Sequence, residues 1–131
     1  MLVGGRWNSP GKPVIYGAIT YAGAMLEVLV HARIGKLPMS HLSIVAEVPA
    51  GVSIEIMTLQ AMEPGWDAQE SRVARAIGDL WLREQRSAIL LVPSIVTRDD
   101  GNVLVNPMHP DASKIHLSAP QAVAWDQRLF P

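Results

Sequence analysis

Ser87-Ala88-Ile89-Leu90-Leu91-Val92-Pro93 is the stretch whose reading decides the fold. Residues 88–92 form an unbroken apolar run, too short for a helix, closed by a serine and a proline. Alternating residues would mark a strand with one wet face, whereas a continuous run marks a strand covered on both faces. This segment is therefore expected at the centre of a sheet.

Working outward, Asp99-Asp100-Gly101-Asn102 is a turn signal, and Val103-Leu104-Val105-Asn106 after it reads as a strand. Ile115-His116-Leu117 supplies a last short strand before a proline-containing tail. Upstream, Asp67 with Glu70 three residues later resembles an acidic capping box, and Val73, Ala76, Ile77, Leu80 and Trp81 share one helical face. The spacing predicts a helix over 68–84. Leu42, Ile44, Ala46 and Val48 alternate with Ser43, Val45 and Glu47, and the pattern resumes over 53–59 after Pro49-Ala50-Gly51, which predicts a hairpin. A further helix is expected over 20–34, capped by Thr20, with Ala22, Leu26, Leu29 and Arg33 as its apolar-facing stripe, widened by Met25 and Val30, and an end near Gly35. Val14-Ile15-Tyr16 reads as a short strand after the turn at residues 8–13. The sum is an α+β fold, a compact mixed domain of short strands with two main helices. With 131 residues, 49% of them hydrophobic, one domain over 1–131 with one core is expected.

Composition narrows the function. The net charge is −1 with both signs interspersed, so the chain lacks the positive field that phosphate-backbone binding needs, and direct nucleic-acid binding is not expected. The absence of cysteine removes disulfides, zinc-thiolate sites and thiol nucleophiles. The first residues lack the basic start and apolar run of a signal peptide, and no segment has the length of a membrane span, so a soluble cytoplasmic protein is expected. His31, His41, His109 and His116 are scattered without ligand spacing, and no metal site is expected.

Three residues draw attention near the start: Arg6, Tyr16 and Glu27, a cation, an aromatic hydroxyl and a carboxylate. Arg6 lies in a Gly/Asn-rich loop, where its planar fork can meet a phosphate or simply face water. Tyr16, in an apolar strand, reads by itself as a core aromatic whose hydroxyl has found one partner, with a ligand platform as the alternative. Glu27 and His31 are helical neighbours, with Gly23 one turn back, and this row borders the apolar stripe. It either flanks a cleft that Gly23 and Ala24 are too small to fill, or forms a polar flank. Ser94, at the end of the buried run, is a candidate for a binding crevice or a plain turn residue. No serine sits in a Gly-x-Ser-x-Gly elbow, so a hydrolase triad has no support. Asn106-Pro107-Met108-His109-Pro110-Asp111 reads as a rigid turn, and Trp7, Trp66, Trp81 and Trp125 as core or rim fillers.

Taken together, Gly4-Gly5-Arg6-Trp7-Asn8, Pro13-Val14-Ile15-Tyr16, Leu26-Glu27-x-Leu29-Val30-His31, Leu90-Leu91-Val92-Pro93-Ser94 and Asn106-Pro107-x-His109-Pro110-Asp111 resemble the RES domain family, in the family's order. The resemblance implies a fold similar to ADP-ribosyltransferase toxins and an enzyme that cleaves the nicotinamide-ribose bond of NAD. It implies a toxin of a bacterial toxin-antitoxin pair, with an Xre-type antitoxin covering the cleft. NAD would be the substrate, and ADP-ribose would pass to water, phosphate or a protein. The residues implied for catalysis are Glu27, Arg6, Tyr16 and Ser94. Those implied for holding NAD are Arg6, Tyr16, Glu27, His31 and Ser94. The alternative is a non-catalytic binding domain that retains the cleft.

Overall fold

A computed structural model describes residues 5–31 and 41–129, with His31 described in its backbone only. The elements run β1 (Ile15–Ala18), α1 (Tyr21–His31), β2 (Leu42–Ser43), β3 (Ala46–Glu47), β4 (Ile54–Ile56), α2 (Arg72–Glu84), β5 (Ile89–Pro93), β6 (Gly101–Val105), β7 (His116–Leu117) and β8 (Gln121–Ala122). The fold is α+β. The main sheet has the order β1-β6-β5-β4, so the apolar run and its downstream partner form the two central strands. β6 is antiparallel to both β1 and β5, while β4 and β5 are parallel. Two small antiparallel pairs, β2 with β8 and β3 with β7, flank it.

Side-chain alternation splits the sheet into two faces. Tyr16, Leu90, Val92, Asn102 and Leu104 share one by register. Leu90, Val92 and Leu104 pack there with Trp7, Trp66 and Trp81 and with Ala74 of α2. On the other face, Ile89, Leu91, Val103 and Val105 pack with Val52 and Ile115. The unbroken run has cover on both sides.

Several expectations need correcting. Residues 42–59 do not form a hairpin: β3 pairs with β7, and β4 pairs in parallel with β5 through the α2 crossover. The turn at Pro49 exists, with the Val52 N–H donating to the Pro49 carbonyl at 3.3 Å, but the strands it joins belong to different sheets. The second helix begins at Arg72, and Asp67 caps nothing, because its carboxylate is taken by Arg98 at 2.8 Å. The buried row of α2 is Ala74, Gly78 and Trp81, while Ala76 and Leu80 face solvent. Gly78 turns the helix this way: a Cβ there would lie 1.7 Å from the Trp7 carbonyl oxygen, so only glycine admits the Trp7 segment. Gln85 ends α2 in the left-handed region, φ 49. β6 starts at Gly101, inside the expected turn, and the reversal lies earlier, over 94–100. The proline-containing tail carries β8. Thr20 does cap α1, its Oγ1 accepting from the Gly23 N–H at 2.9 Å. The expected end of that helix near Gly35 lies outside the described residues. Its stripe is reversed, with Leu26 and Val30 exposed and Gly23 buried. Among the described residues no helix is long and apolar enough to cross a membrane.

The turn at 106–111 is rigid as expected. Asn106 Oδ1 accepts from the Met108 N–H and His109 Nδ1 from the Asp111 N–H, both at 3.0 Å. The Asp111 carboxylate accepts from the Ser53 N–H at 3.0 Å and from Lys114 Nζ at 3.1 Å. Its bonds to Ser53, then Lys114, hold its carboxyl down at about 2. A carboxyl lowered by folding stabilises the fold above its ordinary value of 3.8, and that contribution is lost as pH falls towards about 2. Thermal melts of the parent should therefore drop across this window. Asp111→Asn should melt lower at neutral pH and with a flatter acid limb; an acid limb as steep as the parent's rules the assignment out.

Candidate active site

Glu27 points from α1 towards the sheet. Its Oε1 accepts from Ser94 Oγ at 3.1 Å and from Asn102 Nδ2 at 3.2 Å. Ser94 ends the apolar run and is only 2% exposed. Its Oγ also accepts from the Val96 and Thr97 N–H groups at 3.2 and 3.3 Å, so the hydroxyl proton is directed at Glu27. Asn102 shares a sheet face with Leu104 and meets the carboxylate from the strand side. The space over Gly23 is not open, because a Cβ there would meet Thr20 Oγ1 at 3.0 Å and Asp100 Oδ2 at 3.5 Å. Thr20 Oγ1 in turn donates to Asp100 Oδ2 at 3.2 Å, tying the start of α1 to the 94–100 reversal. The row on α1 that borders the apolar stripe is thus the inward one.

Arg6 and Tyr16 form a second group. Gly5 and Asn8 bridge to each other, and Asn8 is buried, accepting from the Gly5 N–H and the Tyr16 hydroxyl while its Nδ2 donates to the Lys12 carbonyl at 2.8 Å. The Trp7 N–H donates to the Tyr16 hydroxyl at 3.3 Å. A Cβ at Gly5 would lie 2.7 Å from that hydroxyl, so glycine is needed for the tight approach. Burial pushes the hydroxyl's pKa up, against the opposing effect of the Trp7 N–H, and it stays protonated as a donor at neutral pH. Tyr16 is not a core aromatic: its hydroxyl is engaged, yet 44% of the residue is exposed. Arg6, carried between Gly5 and buried Trp7, donates from Nη1 to the Ala68 carbonyl at 2.8 Å. Trp7 stands 6.3 Å from Trp66, centroid to centroid, at 31°.

Glu27 and Ser94 are therefore in direct contact, and Arg6 and Tyr16 are joined through Trp7 and Asn8. The two groups are linked by the 94–100 reversal: Arg98 bonds to Asp67, next to the Ala68 carbonyl that holds Arg6. His31 is the last residue of α1, and its side chain lies outside the described residues. An open groove of about 300 Å³ borders Ile56, Leu91 and Pro93 and includes none of Arg6, Tyr16, Glu27 or Ser94. Ile56 and Leu91 belong to the sheet face opposite Tyr16 and Asn102.

The sequence offers Asn102 and Asn8 no role beyond a place in a turn signal and in the Gly4–Asn8 block. Asn102 follows Asp-Asp-Gly and reads as part of a turn, but starting the strand at Gly101 puts it two residues before Leu104, on the core face. Asn8 sits in a Gly/Pro-rich opening where asparagine is ordinary. No local pattern marks its contact with Tyr16.

The class defined by this fold and site is a small α+β domain with a buried serine directing its hydroxyl at a helix carboxylate. The RES domain family model matches residues 1–126, and the chain belongs to that family. It is 39% identical over 132 residues to the Prs ADP-ribosylating toxin of Sphingobium sp. (strain YBL2), covering 98% of this chain and 82% of that protein. It is 38% identical over 130 residues to the Toxin Res of Pseudomonas putida (strain KT2440), covering 98% and 87%, and 33% identical over 114 residues to the Toxin Res of Photorhabdus laumondii, covering 86% and 72%.

Proposed function

We propose that this chain is the toxin of a bacterial toxin-antitoxin pair and an enzyme that cleaves the nicotinamide-ribose bond of NAD in the cytoplasm. The observation that carries the reading is the Glu27 carboxylate, held by Ser94 and Asn102, in a chain whose relatives include an ADP-ribosylating toxin. Loss of nicotinamide builds positive charge on the ribose, as in glycoside cleavage, and a fixed carboxylate stabilises that charge. Glu27 supplies it. Ser94 is committed to Glu27 and two backbone N–H groups, so it acts through Glu27 as a positioning residue. Arg6 holds the pyrophosphate with its guanidinium. The hydroxyl of Tyr16 is spent on Asn8 and Trp7, so its exposed ring meets the nicotinamide side. His31, one turn after Glu27, lies on the same helix row as a further binding group.

An Xre-type antitoxin covering this cleft is the proposed protein partner. The outward row of Leu26 and Val30, on the helix that bears Glu27, offers it an apolar foothold beside the site. Purified protein mixed with NAD and phosphate should release free nicotinamide, and mass analysis of the products separates ADP-ribose, its phosphate derivative and a modified protein. No nicotinamide release, with or without cell lysate as a source of acceptor, would refute the enzymatic reading; NAD binding without turnover would favour a non-catalytic binding domain.

A further inference from the structure

The reversal between β5 and β6 carries a second cation that none of the roles above uses. Arg98 has φ 62, in the left-handed region that residues with a Cβ seldom adopt. Its guanidinium carbon lies 5.6 Å from the Trp66 ring centroid, and its Nη1 donates to Asp67 Oδ2 at 2.8 Å. Arg6 reaches the next residue of the same segment, its Nη1 on the Ala68 carbonyl at 2.8 Å. Two guanidiniums thus end on adjacent residues. The carboxylate there is Asp67, whose pKa is lowered first by its hydrogen bond to Arg98 and also by the charges of Arg98 and Arg6.

Resting on the NAD reading, we infer that Arg6 and Arg98 together form a diphosphate-binding site, and that Asp67 is its internal occupant, displaced by the ligand's phosphate oxygens. A diphosphate offers both planar forks more acceptor oxygens and more charge than one carboxylate and one backbone carbonyl do. The bond to be displaced is a weak one. The side chains of Arg98 and Asp67 are 50% and 36% exposed, and ion pairs so open to water contribute little. Trp66 keeps its contact with the guanidinium when Asp67 lets go, so Arg98 stays ordered for the incoming phosphate. The Arg98 N–H donates to the Ser94 carbonyl at 2.8 Å. The Arg98 backbone is thereby anchored to the serine that orients Glu27.

The competing account is that Arg98 and Asp67 merely brace the loop, and the two substitutions separate the accounts by sign. Calorimetric binding of ADP, with adenosine as the uncharged control, should be measured for the parent, Arg98→Gln and Asp67→Asn, each checked for folding by its thermal melt. Arg98→Gln should weaken ADP binding by roughly tenfold, the loss of about one charge-assisted hydrogen bond. It should leave adenosine binding unchanged and raise KM for NAD more than it lowers kcat. Asp67→Asn should tighten ADP binding, because the competitor loses its charge while the loop keeps its shape. A parent that does not bind ADP, an Arg98→Gln variant that binds it like the parent, or an Asp67→Asn variant that weakens it overturns the inference. If the expected ADP series appears without nicotinamide release, the site stands and the NAD-cleaving reading falls; nicotinamide release with an unresponsive ADP series gives the reverse.

Discussion

Glu27→Gln should lower the rate of nicotinamide release a hundredfold to a thousandfold while the protein melts close to the parent temperature. Glutamine keeps the shape of the side chain and an oxygen that can still accept from Ser94 Oγ and Asn102 Nδ2. What it removes is the negative charge. A preorganised electrostatic group of this kind contributes about 2.7–4 kcal/mol to the transition state, which sets the expected rate loss. Because the proposed charge develops on the ribose only as nicotinamide departs, the loss should fall on kcat and kcat/KM together. Equal turnover of NAD by Glu27→Gln and parent would end the proposed mechanism, and a large drop in melting temperature would point to Glu27 as a structural group instead.

Gly78→Ala should destabilise the whole fold and disable the site, although it adds a single methyl group.

 The physical ground is local and simple. Ala at this position is the better helix former by about 1 kcal/mol, which taken alone predicts a gain. The packing overrides it. The new Cβ would stand 1.7 Å from the Trp7 carbonyl oxygen and 2.8 Å from the Trp7 carbonyl carbon, distances no methyl group tolerates. The Trp7 segment and α2 must move apart, which loosens Trp7 against Trp66 and its neighbours in the core. Overpacking of this kind costs about 1–3 kcal/mol and sometimes more, and at this chain length each kcal/mol lowers the melting midpoint by roughly 3–6 °C. Arg6 adjoins Trp7, and the Tyr16 hydroxyl accepts from the Trp7 N–H, so ligand binding should suffer as well. Denaturation midpoints with NAD titrations check both parts. A variant as stable and as active as the parent would mean that α2 and Trp7 are not packed as described.

How much of this was legible depended on how local each signal is. The run at Ile89–Pro93 announced a central strand because burial on both faces writes itself into consecutive residues. The partner of β4 was not legible. Ile54–Ile56 is only three residues long, an adjacent turn mimics a hairpin, and the true partner begins at Ile89, beyond an entire helix. On α2, glycine carries no apolar signal, so the row through Gly78 was hidden and the periodicity settled on Ala76 and Leu80 instead. On α1 most residues are apolar, and a pattern with little contrast cannot say which side faces inward. For the site, Glu27 and Ser94 are 67 residues apart, and nothing in spacing joins them. The family resemblance implies both for one site but does not pair them with each other. Asn102 and Arg98 were hidden in a segment whose Asp and Gly content reads as a turn and nothing else.

The reversal at 94–100 is a short piece of chain with three separate obligations. Its first residue orients Glu27, its last meets the Thr20 cap of α1, and Arg98 between them is tied to Asp67. That crowding decides where sequence variation can enter. A residue inserted in the reversal would disturb all three obligations at once, whereas the margins at β2, β3, β7 and β8 touch none of them. Diversity among chains of this build is therefore expected to accumulate at the small flanking sheets, with the reversal held to nearly constant length.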